Sequence, residues 1–132
     1  MNLIALGINH NSAAVEVRER VAFAPEQVSE ALADACLAVA VEEVVILSTC
    51  NRTEIYAVAP EGGDLADKAA EFIDWMANYH HLSGPELRQC AYQHEGPEAL
   101  RHLVQVAPVS YTHLTLPTTL NSWGGGGGGG GG

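Results

Sequence analysis

Apolar and polar positions alternate along this chain with two periods. Leu3-Ile4-Ala5-Leu6-Gly7-Ile8 is short and nearly all apolar, the pattern of a strand buried on both faces. The polar loop Asn9-His10-Asn11-Ser12 follows, and Val15 to Val21 is read as a short helical turn. Pro25 suits the first turn of a helix, with Glu26 at its positive end. Val28, Ala31, Leu32, Ala35 and Val39 then recur at helical spacing, with Cys36 beside the stripe. Val44–Ser48 and Thr53–Val58 read as two strands joined by a polar turn, a β-hairpin. Asp64 is an N-cap for a second long helix with the stripe Leu65, Ala69, Phe72, Ile73 and Met76, flanked by Trp75 and Tyr79. Ser83-Gly84-Pro85 breaks the chain and caps a turn through Leu87; Arg88–Gln93 is predicted as a strand. Gly96-Pro97-Glu98 opens a last helix whose apolar stripe is Leu100, Leu103, Val104 and Ala107, which turns His102 away from it.

The order strand, helix, strand, strand, helix, strand, helix is the split β-α-β pattern. It predicts an α+β fold: a ferredoxin-like sandwich, its antiparallel sheet covered by helices on one face.

Charge changes the picture at one place. All of the Lys, Arg, Asp and Glu residues lie within 1–107, and 108–132 carries none. So sharp a shift marks a boundary: one domain over 1–107, then an uncharged, Gly-rich tail over 108–132. That tail is read as foreign sequence, without structure and without part in the fold. The net charge of −10 argues against a non-specific nucleic-acid surface. No apolar run approaches the ~20 residues of a membrane span. The 3 cysteines are widely spaced with no Cys-x-x-Cys pair, and Met1 runs into a strand without a basic leader, so reduced thiols and a cytoplasmic setting are expected. His80-His81 lacks convergent partners, and no metal site is expected.

The candidate chemistry lies in the hairpin turn, at Thr49-Cys50-Asn51-Arg52. Cys50 at a turn, two residues from a permanent cation and between a hydroxyl and an amide, has the setting of a nucleophile. A packing cysteine at a strand end is the plainer alternative. His10 gains interest only if its loop lies beside Cys50. His102 reads as a solvated surface histidine unless its face looks into the cleft holding Cys50.

Ser48-Thr49-Cys50-Asn51-Arg52-Thr53-Glu54 closely resembles the active-site signature of glutamyl-tRNA reductase. Leu6-Gly7-Ile8-Asn9-His10, then Val17-Arg18-Glu19-Arg20-Val21, resembles the family's N-terminus; Tyr92-Gln93-His94 and Leu100-Arg101-His102-Leu103 also fit. Ala14 stands where the family usually has proline. The resemblance covers about residues 1–107 and identifies them with the family's N-terminal catalytic domain.

It implies an NADPH-dependent oxidoreductase converting glutamyl-tRNA(Glu) to glutamate-1-semialdehyde, the entry to tetrapyrrole and heme synthesis. Catalytic roles fall to Cys50, which forms a thioester, and to His102, which assists proton transfer or stabilises the oxyanion. Thr49, Cys50, Asn51 and Arg52 bind substrate, Arg52 gripping the glutamate carboxylate at two points. The resemblance further implies a homodimer and handover of product to glutamate-1-semialdehyde aminomutase. No G-x-G-x-x-G follows a strand here, so NADPH is assigned to a downstream domain absent from these residues, and reduction by this fragment alone is not expected. Two other classes fit the residues without the resemblance: a thiol-dependent hydrolase or redox cysteine domain, and a ferredoxin-like interaction module with an inert cysteine.

Overall fold

The computed structural model describes residues 2–41, 43–106 and 113–115. The elements are β1 (Leu3–Asn9), α1 (Val15–Val21), a 3-10 turn (Pro25–Gln27) running into α2 (Val28–Val39), β2 (Glu43–Ser48), β3 (Arg52–Val58), α3 (Leu65–Tyr79), α4 (Gly84–Cys90), β4 (Tyr92–Glu95), α5 (Pro97–Val106) and β5 (His113–Thr115). The sheet order is β4-β1-β3-β2-β5, with antiparallel pairing between neighbours. The first four strands follow the ferredoxin-like order, with β1 and β3 in the centre, each buried over most of its length.

The pleat divides the core in two. Ile4, Leu6 and Ile8 of β1, with Ile46 and Ile55, point to the face covered by α2 and α3. The α2 stripe is buried as expected. Asp64 caps α3 by accepting from the amides of Ala66 (2.9 Å) and Asp67 (3.2 Å). Trp75 lies inside this core, stacked near Phe23 (5.9 Å between ring centroids), with its indole N–H donating to Asp34 (2.7 Å).

Three departures from the sequence expectations bear on the site. First, Arg88–Gln93 is not a strand: α4 continues to Cys90 and β4 begins at Tyr92. Glu-Leu-Arg-Gln are strong helix formers, Ser83 accepts from the Glu86 amide, and Arg88 forks onto Asp74 of α3, which fixes the second turn. Second, helices cover both faces of the sheet. The two long ones share one face as expected, but α5 packs on the other, over Ala5 and Tyr56. Third, the tail was assigned no structure, yet His113–Thr115 pairs with β2; the rest of 107–132 lies outside the described residues, Ala107 of the expected α5 stripe included.

No described helix is long and apolar enough to cross a membrane.

Candidate active site

β3 carries Arg52, Glu54 and Tyr56 on one side, because side chains two apart share a face. Its register with β1 sets Gly7 opposite Glu54 and Ala5 opposite Tyr56; β1 in turn sets Gly7 opposite Tyr92 and Ala5 opposite His94. Two small residues on the central strand thus open a trough between the polar side chains of β3 and β4. α5 closes it from above.

The orientation of α5 differs from the one its sequence suggests. Ala99 and Val106 are buried, while Leu100 and Val104 are 42% and 61% exposed. At ~100° per residue, Ala99, His102, Leu103 and Val106 fall within about 100° of arc, so His102 is part of the inward face. Ala99 and Leu103 pack over Ala5 and Tyr56, and the same face brings His102 to a buried polar group that a histidine can satisfy.

That group is Glu54, which is fully buried. Its Oε1 accepts from the Tyr56 hydroxyl (2.6 Å); its Oε2 accepts from His102 Nε2 (2.6 Å), from Arg52 Nη1 (3.2 Å) and from the Tyr92 hydroxyl. Burial works to raise this carboxyl, but the bonds from His102, Tyr56 and Tyr92 and the charge of His102 prevail and hold it below the usual carboxylate range. Burial, with the neighbouring Glu54 charge and hydrogen bond, pushes both tyrosines far up, so they stay protonated donors. An ionised carboxylate accepts only, which requires the proton of His102 to sit on Nε2. Nδ1 makes no hydrogen bond among the described residues.

Cys50 is exposed in the turn between β2 and β3, two residues before Arg52 at the start of β3. The Thr49 hydroxyl oxygen accepts from the amides of Asn51 (3.0 Å) and Arg52 (3.1 Å), and the Thr49 amide donates to the Arg52 carbonyl (2.7 Å). Thr49 therefore holds the turn while its own O–H proton remains available. Asn51 is exposed and its side chain makes no hydrogen bond among the described residues. Below the turn, Ser48 accepts from the Phe23 amide (3.0 Å) and contacts Thr53 (3.3 Å), tying the segment before α2 to the hairpin. Asn9 is register partner to Arg52, which puts the loop of exposed His10 at the same end of the sheet as Cys50.

The structure thus gathers Thr49, Cys50, Asn51 and Arg52 in one turn and brings His102 to the face that the turn borders. It changes one expectation: Arg52 is not a free cation, since Nη1 is engaged by Glu54, leaving its other N–H groups for a ligand. From the sequence no role falls to Glu54, Tyr56, Tyr92 or His94, although Glu54, Tyr92 and His94 stand in the blocks that carry the resemblance. For β3 the signal is present as polar residues two apart, Arg-x-Glu-x-Tyr, on a strand that is buried over most of its length; β4, Tyr-Gln-His-Glu, carries no such contrast.

Among the described residues no group of three or more His, Cys, Asp and Glu could hold a metal ion. The 3 cysteines are unpaired, and burial pushes the thiols of Cys36 and Cys90 up. We expect thiol reagents to label Cys50 on the order of tenfold faster than either. Peptide mapping after partial alkylation measures this, and equal labelling of all three would remove the nucleophile from the turn.

Residues 6–108 match the family model described as Glutamyl-tRNAGlu reductase, N-terminal domain. The chain belongs to this family. Over 107 residues it is 51% identical to the glutamyl-tRNA reductase of Pseudomonas syringae pv. syringae and 52% identical to that of Ectopseudomonas mendocina, in each case over 81% of this chain and 24% of the relative. The solved glutamyl-tRNA reductase from Methanopyrus kandleri aligns with a TM-score of 0.57 at 29% identity, over 80% of this chain and 22% of that one. The chain thus spans about a quarter of the curated reductases it matches, and its ferredoxin-like sheet is the architecture of the reductase N-terminal domain.

Proposed function

We propose that this glutamyl-tRNA reductase domain accepts the glutamyl group of glutamyl-tRNA(Glu) on Cys50. The reading is supported by an exposed thiol in the hairpin turn and, four residues on in the same hairpin, the buried Glu54 carboxylate that holds His102 Nε2. The Cys50 thiolate attacks the ester carbonyl, and a C–S bond forms as the C–O bond to the terminal ribose breaks. The proton given up by the Cys50 thiol is taken by His102 at Nδ1, with Nε2 kept on Glu54, and is returned to the ribose oxygen as it leaves. The N–H groups of Arg52 not engaged by Glu54 meet the glutamate carboxylate, while the Thr49 hydroxyl and the Asn51 amide orient the carbonyl and the amine.

NADPH, which the family resemblance implies, does not fit the described residues. Their strands pair antiparallel throughout, and no glycine-rich turn joins a strand to a helix in the manner of a dinucleotide site. No hydride step is therefore assigned to them. The acidic balance of the chain agrees with a domain that reads the aminoacyl end rather than the tRNA backbone. A homodimer and handover of product to an aminomutase belong to the same reading and rest on the family resemblance; a cytoplasmic setting rests on the widely spaced, unpaired cysteines.

The test is incubation of the chain with glutamyl-tRNA(Glu), followed by intact mass and peptide mapping, with Cys50→Ser alongside. A glutamyl adduct on Cys50, slow deacylation by thioester hydrolysis and neither in Cys50→Ser are the expected results. Deacylation at equal rates in both proteins would sink the proposal. A thiol-dependent hydrolase is the second reading that an exposed cysteine allows, and it predicts equal turnover of simple thioesters lacking the glutamate carboxylate.

A further inference from the structure

His94 has no part in the reading above, yet it shapes the surroundings of His102. The two rings lie 4.5 Å apart between centroids at an interplanar angle of 30°. Tyr92 meets the same imidazole edge-on at 5.4 Å, and Tyr56 lies at 6.5 Å. Glu54 fixes one atom of His102, Nε2. A single hydrogen bond leaves a ring free to rock about that bond, and a flat neighbour stacked on its face removes this freedom. His94 can do so because it stands opposite Ala5, on the same pleat as Tyr92.

We propose that His94 is a positioning residue for His102, stacking on its ring so that Nε2 stays bound to Glu54 and Nδ1 faces the substrate side.

The charged and titratable groups around the pair are Glu54 and Arg52 from β3, Tyr56 from the same strand, Tyr92 from β4 and Glu98 from α5. Burial and the charge of His102 hold His94 below the usual imidazole range, against the opposing pull of Glu54 and Glu98. A neutral ring in this place leaves the proton to His102 and offers its π-face to the imidazolium that forms there when His102 takes up a proton. A phenyl ring reproduces that face and the stack but cannot carry a proton.

The proposal rests on His102 being the proton-handling group, and its test reads the histidine itself and so does not depend on acyl transfer. The imidazole nitrogens of ¹⁵N-histidine-labelled chain are followed by long-range ¹H–¹⁵N correlation across pH, in the unaltered protein, His94→Phe and His94→Ala, with His102→Gln for assignment. In the unaltered protein and in His94→Phe, His102 is expected as the Nε2–H tautomer. In His94→Ala its tautomer ratio is expected to fall about three- to tenfold, the range that loss of one ring stack produces. Thermal unfolding is recorded in parallel. An unchanged tautomer and titration curve for His102 in His94→Ala, whatever the melting temperature, would overturn the proposal. So would a His94→Phe protein that behaves like His94→Ala. If His94→Ala does not fold, His94→Gln takes its place under the same criteria. Failure of the Cys50 adduct with these NMR results intact would count against the acyl-transfer reading alone.

Discussion

Glu54→Ala should be the most damaging single change at the site, lowering stability by about 3–5 kcal/mol. The carboxylate is buried and serves four donors from three elements: Arg52, Tyr56, Tyr92 and His102. Removing it strands the Arg52 guanidinium, whose side chain is only 15% exposed, beside two tyrosine hydroxyls with no acceptor. For a domain of this size the loss corresponds to a fall of at least about 12 °C in Tm. Glu54→Gln keeps a carbonyl acceptor and should cost less, but its amide NH₂ faces donors and repels one of them.

The pH dependence has a definite sign. The folded carboxyl is held below its ordinary value of 4.5, so its contribution is complete above that value and is lost as pH falls through the folded one. Urea titrations between neutral pH and about pH 3 should therefore show a steeper acid loss for the unaltered chain than for Glu54→Ala. Parallel curves, or a cost below about 1 kcal/mol at neutral pH, would show that water replaces the carboxylate freely.

Gly7→Ala should match that cost through geometry alone. A β-carbon at this position would lie 2.2 Å from the Thr53 carbonyl oxygen and 2.8 Å from Glu54 Cα. Both are backbone atoms of the neighbouring central strand, so no rotamer change relieves the clash; β1 and β3 must part or slip. The expected loss is about 3 kcal/mol or more, the upper end for overpacking. Exchange of the β1 amides should accelerate together with it, because the residues paired across Gly7 lose register with their partners. A loss within about 0.5 kcal/mol, with β1 amides as protected as before, would mean that the strands separate more cheaply than their spacing allows.

The contrast between these positions and the rest of the chain shows what the sequence could tell. The apolar stripes of α2 and α3 and the hairpin around Cys50 follow from periodicity, since each is a local pattern packed against a broad apolar surface. The last helix does not. Its most apolar arc, through Leu100 and Val104, is not the arc that meets the sheet. What orients α5 is a carboxylate 48 residues earlier, and no local pattern encodes that pairing. The start of β4 differs from the sequence expectation for a related reason: the ion pair of Arg88 with Asp74 of the preceding helix extends α4, and the pattern of 88–93 alone does not encode it. Family resemblance supplied His102 where periodicity had turned it outward. It did not reveal that Glu54 of the same signature is the acceptor holding it.

The separation between Glu54 and His102 has a consequence for the order in which the chain matures. The hairpin carrying Cys50 closes through contacts only a few residues apart, of the kind that form within microseconds. During synthesis at ~5–20 residues per second, His102 follows Cys50 by seconds. A nascent chain therefore displays its thiol before the imidazole, Tyr92 and the helix above them have been made. Oxidation or alkylation of the thiol needs none of these partners, so the thiol is open to both before the last helix docks.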